Sequence, residues 1–544
     1  MTRKFKAIII AVVVLTGTAA VTINNDKLFE ISKNLEIFIS VYKELNNNFA
    51  DELDPGTLMR TAIDAMTKSL DPYTNYMSES QMESYWISDD DRYQGIGAKI
   101  NLIDKNVTVT EVYEGGPAAE AGIKVGDIIT SLNGIDIKGK IIEDINVIMR
   151  GIPGTDILLG IQSSGSPSVE PKTITRGEVN IPNVPYSGFV SEDVGYISLT
   201  IFTQNASDNV KQALRKLKEE NPNLAGVILD LRHNGGGLLH EAINICNIFM
   251  PQGEIVVTTK SKIKENDQVY RTTLQPEDLE LPVAVLIDNK SASASEIVSG
   301  TLQDVDRAVL IGQRSFGKGL VQSTKDLPYH SRLKLTISKY YIPSGRCIQG
   351  VEYENGIPVD IPDNRRSKFK TKNGRTVLDG GGVTPDIKLP APELPAVVNA
   401  LNDQYIIFKY VNEYCKNKDK IDPIASFRFT QFDDFLNYVK KSNFKYETEA
   451  EKILNNAKAA FEKSGSNSVV NDIKTLQDKI IADRPTELQR SKDAIIKEIE
   501  KEIVSRYYYQ KGKIHQALDN DPEISEAVAV LKDTNRYKKI LSGK

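Results

Sequence analysis

The chain has 544 residues, too many for one hydrophobic core, and that length points to three or four domains. Hydrophobic residues make up 40% and charged residues 26%, ordinary globular values, and a net charge of −5 lacks the basic excess of a nucleic-acid binder. Three cysteines (Cys246, Cys347, Cys415) without a CxxC, and four histidines at no metal-ligand spacing, leave no zinc site and no cofactor to expect.

The first residues, MTRKFKAIIIAVVVLTGTAA, place Arg3, Lys4 and Lys6 ahead of an apolar run from Ala7 to Leu15, with small residues to Ala20. That is the order of an export signal, and the run is shorter than the ~20 residues of a full membrane span. Residues 1–24 are therefore expected to be a signal peptide, with a retained membrane anchor as the alternative. In an exported chain an odd cysteine count leaves at least one thiol free. Residues 25–90 read as a helical segment, because LEIFISVYKELNNNF and LMRTAIDAMTKSL repeat apolar residues at helical spacing. Their apolar faces suit either the rest of the chain or a second copy of it, so a homodimer is one expectation.

Between 91 and 177 the texture changes to short strands with glycine turns. YQGIGAKINLIDKNVTVTEV alternates apolar and polar residues, and GGPAAEAGIKVGDIITSLNGIDI follows. The segment resembles a PDZ domain. In QGIG the backbone N–H groups of Gly95, Ile96 and Gly97 are placed to receive a C-terminal carboxylate, and glycine permits that close approach. Arg150, at the end of the short helix IIEDINVIMRG, reads as a surface arginine or as a communicator with the next domain.

From 178 to 392 strands (VGYISLT, AGVILDL, PVAVLID, RAVLIG) alternate with helices (NASDNVKQALRKLKEE, LLHEAINICNIF, SEIVSGTLQDV), which argues for an α/β domain. LPAPELPA then reads as a linker. Residues 393–544, rich in lysine and glutamate as in DAIIKEIEKEIVSRYYYQKGKI, are expected to form a helical extension with a solvated charged face.

DNKSASASEI, Asp288 to Ile297, carries the chemistry. Ser293 and Glu296 fit the S-x-x-E capping box of a helix start. A serine between a strand end and a helix N-terminus is also placed to attack, with the amide of Ala294 available to an oxyanion. Such a serine needs a base. His233, His240, His330 and His515 are candidates, but FGKGLVQS offers a better one. Lys318 opens an apolar, strand-like run, and burial would keep its amine neutral. Gln322, four residues on, would share its face of an extended strand and orient it. GQRSFGKG nearly matches a phosphate loop, but Gly319 holds the Ser/Thr position and a strand follows where a helix is required, so nucleotide binding is excluded. In GVILDLRHNGGGLL a glycine cluster enters a helix, an arrangement that exposes N–H groups to a developing anion.

With these pieces in order, the sequence resembles the carboxyl-terminal processing, or tail-specific, proteases over roughly Leu28 to Pro390. SLDPYTNYM, the PDZ signature, DLRHNGGGLL, DNKSASASEIVSG, RSFGKGLVQ, YYIPSGRCIQG and GGVTPDI carry the likeness. The resemblance implies a crotonase/Clp-like ββα protease core divided by the PDZ insertion. It implies Ser293 as nucleophile, Lys318 as general base, Gln322 as its partner, Gly236 and Ala294 as oxyanion donors, and Glu296 in a structural role. The family usually has Asn-Pro-Gly-Gly where this chain has Asn234-Gly235-Gly236-Gly237, which leaves the donating glycine open. The expected activity is a serine endopeptidase of the bacterial envelope. It would cut proteins near their C-termini, with the PDZ domain holding the tail and gating the site, and with no cofactor and no nucleic-acid partner. Two alternatives stand beside it: a non-catalytic PDZ scaffold, and a Ser-His-Asp hydrolase using His233 or His240.

Overall fold

The computed structural model describes residues 27–78, 93–354 and 357–543, so the expected signal peptide lies outside the described residues. Two helices come first, α1 (27–48) and α2 (Pro55–Lys68). Asp54 caps α2 by accepting from the amide of Thr57 at 2.6 Å, and Pro55 fills the first turn, where no amide is needed. On α1, Leu28, Ile31, Leu35, Phe38 and Leu45 are all exposed, an apolar row at helical spacing. No helix among the described residues is long and apolar enough to cross a membrane. Strand β1 (Asn75–Met77) then leads into the main body.

The next unit has its own core. It opens with β2 (Tyr93–Gly95) and continues through β3 (Ala98–Ile103), β4 (Asn106–Val112), β5 (Ile128–Leu132), β6 (Ile135–Asp136), β7 (Asp156–Gln162) and β8 (Val169–Thr175). These last six form one antiparallel sheet, β3-β4-β5-β7-β8 with β6 on β5. Helices α3 (Pro117–Glu120) and α4 (Ile142–Met149) close it over Val109, Ile145, Met149, Ile157 and Leu159. Strand β9 (Gly177–Val179) returns antiparallel to β2, pairing Tyr93 with Val179 and Gly95 with Gly177. The incoming and outgoing segments therefore run side by side, which is the geometry of an inserted domain.

From Tyr186 onward the strands of the two core sheets are β10 (Tyr186–Ser191), β11 (Val194–Ser198), β12 (Gly226–Asp230), β13 (Ile255–Ser261), β14 (Gln268–Arg271), β15 (Val283–Ile287), β16 (Ala308–Gly312), β17 (Leu320–Asp326), β18 (Arg332–Tyr341) and β19 (Ile387–Lys388). The helices among them are α5 (Ala206–Glu220), α6 (Leu239–Phe249) and α7 (Ala294–Asp304). The main sheet runs β10-β11-β12-β15-β16-β19 and is parallel except for β10. Every residue of β11, β12, β15 and β16 is buried, as a parallel strand covered on both faces requires. A second, antiparallel sheet runs β1-β18-β13-β14 with β17 also on β18. The N-terminal segment thus contributes a strand to the core. This is the α/β core with an inserted domain that the sequence leads one to expect.

The C-terminal helices are α8 (Ala396–Asp403), α9 (Ile406–Cys415), α10 (Phe432–Lys441), α11 (Glu449–Lys463), α12 (Asn467–Arg490), α13 (Lys492–Leu518, broken at Tyr509), α14 (Pro522–Lys532) and α15 (Thr534–Ser542). Tyr410, Phe435, Ile495, Ile499 and Ile503 give this region a core of its own. It also touches the inserted domain, where Lys409 lies 2.6 Å from Asp104 and Lys511 lies 3.0 Å from Glu114. Its end does more than present a solvated face. Alternate residues of the main sheet point to opposite sides. Val227, Leu229, Val283 and Val285 pack with α5, α6 and α7, whereas Ile228, Ala284, Leu286, Val309 and Ile311 pack with Ile524, Ala527, Val530, Leu531 and Tyr537. The last two helices therefore cover the second face of the sheet. Leu531→Ala is expected to lower stability by about 2–5 kcal/mol, the range for an emptied core leucine, in urea unfolding of the whole chain.

Candidate active site

The apolar run PVAVLI forms β15, and the turn after it is pinned from within. Asp288 Oδ1 accepts from the amides of Lys290 and Ser291 at 3.0 Å each, and Ser291 Oγ donates to the carbonyl of Leu231 at 2.8 Å. Ser293 then sits at the N-cap of α7 with φ 57° and ψ −113°. A non-glycine residue held there stores about 1–3 kcal/mol of strain, a cost found where the surroundings over-determine a functional residue. Ala294 is the first helical residue, so its amide has no intrahelical acceptor and adds to the positive end of the helix.

Glu296 organises what surrounds the serine. Its Oε2 accepts from the amide of Ser293 and from the amide of Lys318, each at 2.8 Å. Its Oε1 accepts from Gly317 N–H at 2.7 Å and from Ser315 Oγ at 2.5 Å. Two segments far apart in sequence are thereby held within two hydrogen-bond lengths of each other. The capping box foreseen from S-x-x-E thus has a shared glutamate. On the serine side, the amide of Glu296 donates to the main-chain carbonyl of Ser293 at 2.9 Å, with the serine side chain standing over the same turn. Glu296 is wholly buried, and burial pushes its carboxyl up to about 7 against the opposing pull of its four hydrogen bonds.

Lys318 lies in the loop ahead of β17. Its amine rests 4.7 Å from the centre of the Tyr73 ring, a cation–π distance, and its carbonyl accepts from the Tyr340 hydroxyl. Tyr340 is buried, and its hydroxyl also neighbours the Ser293 side chain. The Lys318 amine is held below the ordinary lysine value, first by burial and then by the charge of Lys334, with Glu296 opposing. Gln322 donates to Thr336 Oγ1 at 3.3 Å. Counting alternate positions from Lys318 does not place Gln322, because Lys318 precedes the strand and a bulge falls between Val321 and Gln322.

Gly236 is seated against Ser293. Its φ is 100°, and a Cβ there would lie 2.9 Å from Ser293 Cβ and 2.7 Å from the carbonyl of Ala292, so a side chain is excluded. Its amide donates to Asn234 Oδ1 at 2.9 Å, while Asn234 Nδ2 donates to the carbonyl of Leu199 at 2.7 Å. With no proline in this loop, the asparagine side chain ties it down. The Ala294 amide opens the helix without an intrahelical acceptor, whereas that of Gly236 is committed within its own loop.

His233 pairs with Asp288 at 2.7 Å, which holds the Asp288 carboxyl below its ordinary range against burial. The imidazole is 73% exposed and lines a cavity of about 1720 Å³ between the inserted domain, the core and α13, a cavity that neither Ser293 nor Lys318 lines. His240 is also exposed. Among the described residues no group of histidine, cysteine and carboxylates could hold a metal ion.

In the inserted domain, Gly95 pairs with Gly177 and bridges to Arg150, so the end of α4 meets the QGIG loop through its backbone. Ile96 is fully buried and its carbonyl accepts from Ala118 at 2.7 Å; Gly97 has φ 79° and its carbonyl accepts from Tyr113 at 3.0 Å. Sequence reasoning missed Tyr73 and Tyr340. Both stand in quoted motifs, SLDPYTNYM and YYIPSGRCIQG, but nothing in local spacing couples them to Lys318.

Residues 193–362 match peptidase family S41, residues 108–163 a PDZ domain, and residues 397–531 the C-terminal helical domain of probable PDZ-proteases. The chain is similar to a probable CtpA-like serine protease of Staphylococcus aureus, 34% identical over 66% of this chain and 73% of that one. It is similar to a carboxy-terminal-processing protease of Bartonella bacilliformis, 35% identical over 63% of this chain and 78% of that one. Among solved structures it is similar to the photosystem II D1 C-terminal processing protease, at 24% identity, 66% coverage of this chain, 93% of that chain and a TM-score of 0.36.

Glu296 yields a signed prediction. Its carboxyl sits at about 7 in the fold against 4.5 when free, so the folded state holds the extra proton between those values. Stability from that proton is complete below about 4.5 and is lost as pH rises through about 7. Glu296→Gln mimics the protonated form, so wild type is expected to lose melting temperature relative to this variant between pH 5 and pH 8. A difference moving the other way would mean that the four hydrogen bonds outweigh burial.

Proposed function

The chain belongs to the carboxyl-terminal processing proteases of peptidase family S41, serine-type peptidases with a PDZ domain, and from that premise we propose an acyl-enzyme mechanism run by Ser293 and Lys318 on the C-terminal tails of proteins. One observation supports it above the others: a single oxygen of Glu296 binds the amides of both residues. A tail adds as a strand beside β3, facing α4, with its carboxylate at Gly95, Ile96 and Gly97. The neutral Lys318 amine moves off Tyr73, takes the Ser293 proton, and the serine oxygen attacks the scissile carbonyl. The amide of Ala294 receives the oxyanion, joined by that of Gly236 once it leaves Asn234. Lys318, carrying the proton, gives it to the departing amine, and water then releases the acyl group. Gln322, anchored to Thr336, steadies the strand behind Lys318. A positioned base contributes roughly 10²–10⁴-fold and an oxyanion donor about 10²–10³-fold.

The N-terminal run of basic, apolar and small residues supports export, with the bacterial envelope as the workplace. We also propose that docking of the tail on the PDZ domain gates the site, with Arg150, whose backbone bridges to Gly95 of the QGIG loop, as the communicator.

Ser293→Ala and Lys318→Ala are each expected to abolish cleavage of a tailed peptide, read by mass spectrometry, while both proteins keep the wild-type circular dichroism spectrum. His233→Ala is expected to keep cleaving, and its loss of activity would transfer the base to histidine. The wild-type rate should climb as pH rises through a lysine value below 10.5, because burial favours the neutral amine.

A further inference from the structure

The loop that carries Gly236 leaves β12 through Arg232, and the loop that carries Lys318 leaves β16 through Gln313. One side chain touches both. Glu523, in the first turn of α14, has Oε2 2.6 Å from Arg232 Nη1, and its Oε1 accepts from Gln313 Nε2. Asp521 caps α14, accepting from the amides of Glu523 at 2.9 Å and Ile524 at 3.2 Å, and its other oxygen lies 2.7 Å from the same guanidinium nitrogen. Asp230 closes the cluster, with both oxygens 3.0 Å from Arg232 Nε and one accepting from Tyr196 at 2.8 Å.

Building on the Ser–Lys reading above, we propose that Glu523 is a positioning residue for the active site, which holds the Gly236 loop and the Lys318 loop in register through Arg232 and Gln313. The C-terminal helical domain then belongs to the catalytic apparatus.

Attachment of the helix does not require this charge. Ile524, Val530 and Leu531 already bury α14 against the sheet. A buried ion cluster is weak as a source of stability, because the desolvation of its members offsets their attraction. Here three carboxylates surround one guanidinium, and the Glu523 side chain is only 2% exposed. Burial raises the Glu523 carboxyl and outweighs the opposing pull of Arg232 and Gln313, with Asp521 adding to the rise, so a buried charge is a poor choice for a mere anchor. What the cluster supplies is direction. Arg232 is fixed by carboxylates on both sides, and its own amide donates to Asp230 Oδ1 at 2.9 Å. Gln313 is fixed by Glu523 and by its amide, which donates to the carbonyl of Ile287 at 3.0 Å. Both loops therefore leave the sheet at angles set from the same carboxylate, a few residues before the groups that must meet.

The test measures kcat and KM on a tailed peptide for Glu523→Ala and Gln313→Leu in the full chain, with melting temperature as the fold check and Ser293→Ala alongside. A misplaced catalytic group costs up to about a hundredfold, so kcat should fall roughly ten- to a hundredfold with KM within about twofold, because tail docking is untouched. Gln313→Leu cuts the tie on the core side while leaving the Arg232 pairs in place, and decides the matter if Glu523→Ala does not fold. Folded variants with wild-type kcat, or a rise in KM alone, overturn the proposal. So does failure of both to fold, since the contact is then packing. An inactive Ser293→Ala beside a fully active Glu523→Ala defeats this proposal only. An active Ser293→Ala defeats the serine mechanism and this proposal together.

Discussion

A buried carboxylate with four donors is the constraint on which the site depends. Glu296 gathers the amides of Ser293, Gly317 and Lys318 and the hydroxyl of Ser315 into one point. Ser293 comes from the strand–turn–helix after β15 and Lys318 from the loop after β16, so no local interaction could bring them together. A glutamate at the third position of α7 does so because it turns back onto the helix start, where its own helix leaves amides without acceptors. The same burial that raises its carboxyl lowers the Lys318 amine, since both groups share a site where charge is poorly solvated.

The main sheet explains why the chain extends past Pro390. Parallel strands as apolar as VAVLI and AVLIG need cover on both sides. Helices α5 to α7 supply one side, and α14 and α15, contributed from the far end of the chain, supply the other. The family match for residues 397–531 fits this, because that helical domain is part of how the core is completed. It also spans to the PDZ domain through Lys409 and Lys511, so one region touches both the PDZ domain and the core.

What was legible in the sequence depended on distance along it. The α/β alternation, the inserted PDZ domain and the Ser293 and Lys318 motifs rest on short patterns that encode their own geometry. The pairing of Gln322 with Thr336 was not legible, because a bulge in β17 breaks the alternation on which the reading relied. Tyr73 was not legible either. Its ring reaches Lys318 only because β1 pairs with β18, a contact between residues some 260 positions apart that no local window contains. The charged character of residues 393–544 suggested a solvated accessory, and it masked the short apolar stretch of EISEAVAVLK, which with Tyr537 packs against the sheet. Glu296 was read as a cap, and it is one, but a capping pattern says nothing of the second segment that the same oxygen holds.

The two-strand ladder between β2 and β9 has a consequence for how the chain folds. To the protease core, the PDZ domain behaves as a short bridge whose ends are already joined. Loop-closure entropy depends on the span that remains flexible, so once the insert has collapsed on its own nucleus, its length no longer slows the meeting of β1 with β18. The host inherits a large binding module with the kinetic burden of a hairpin.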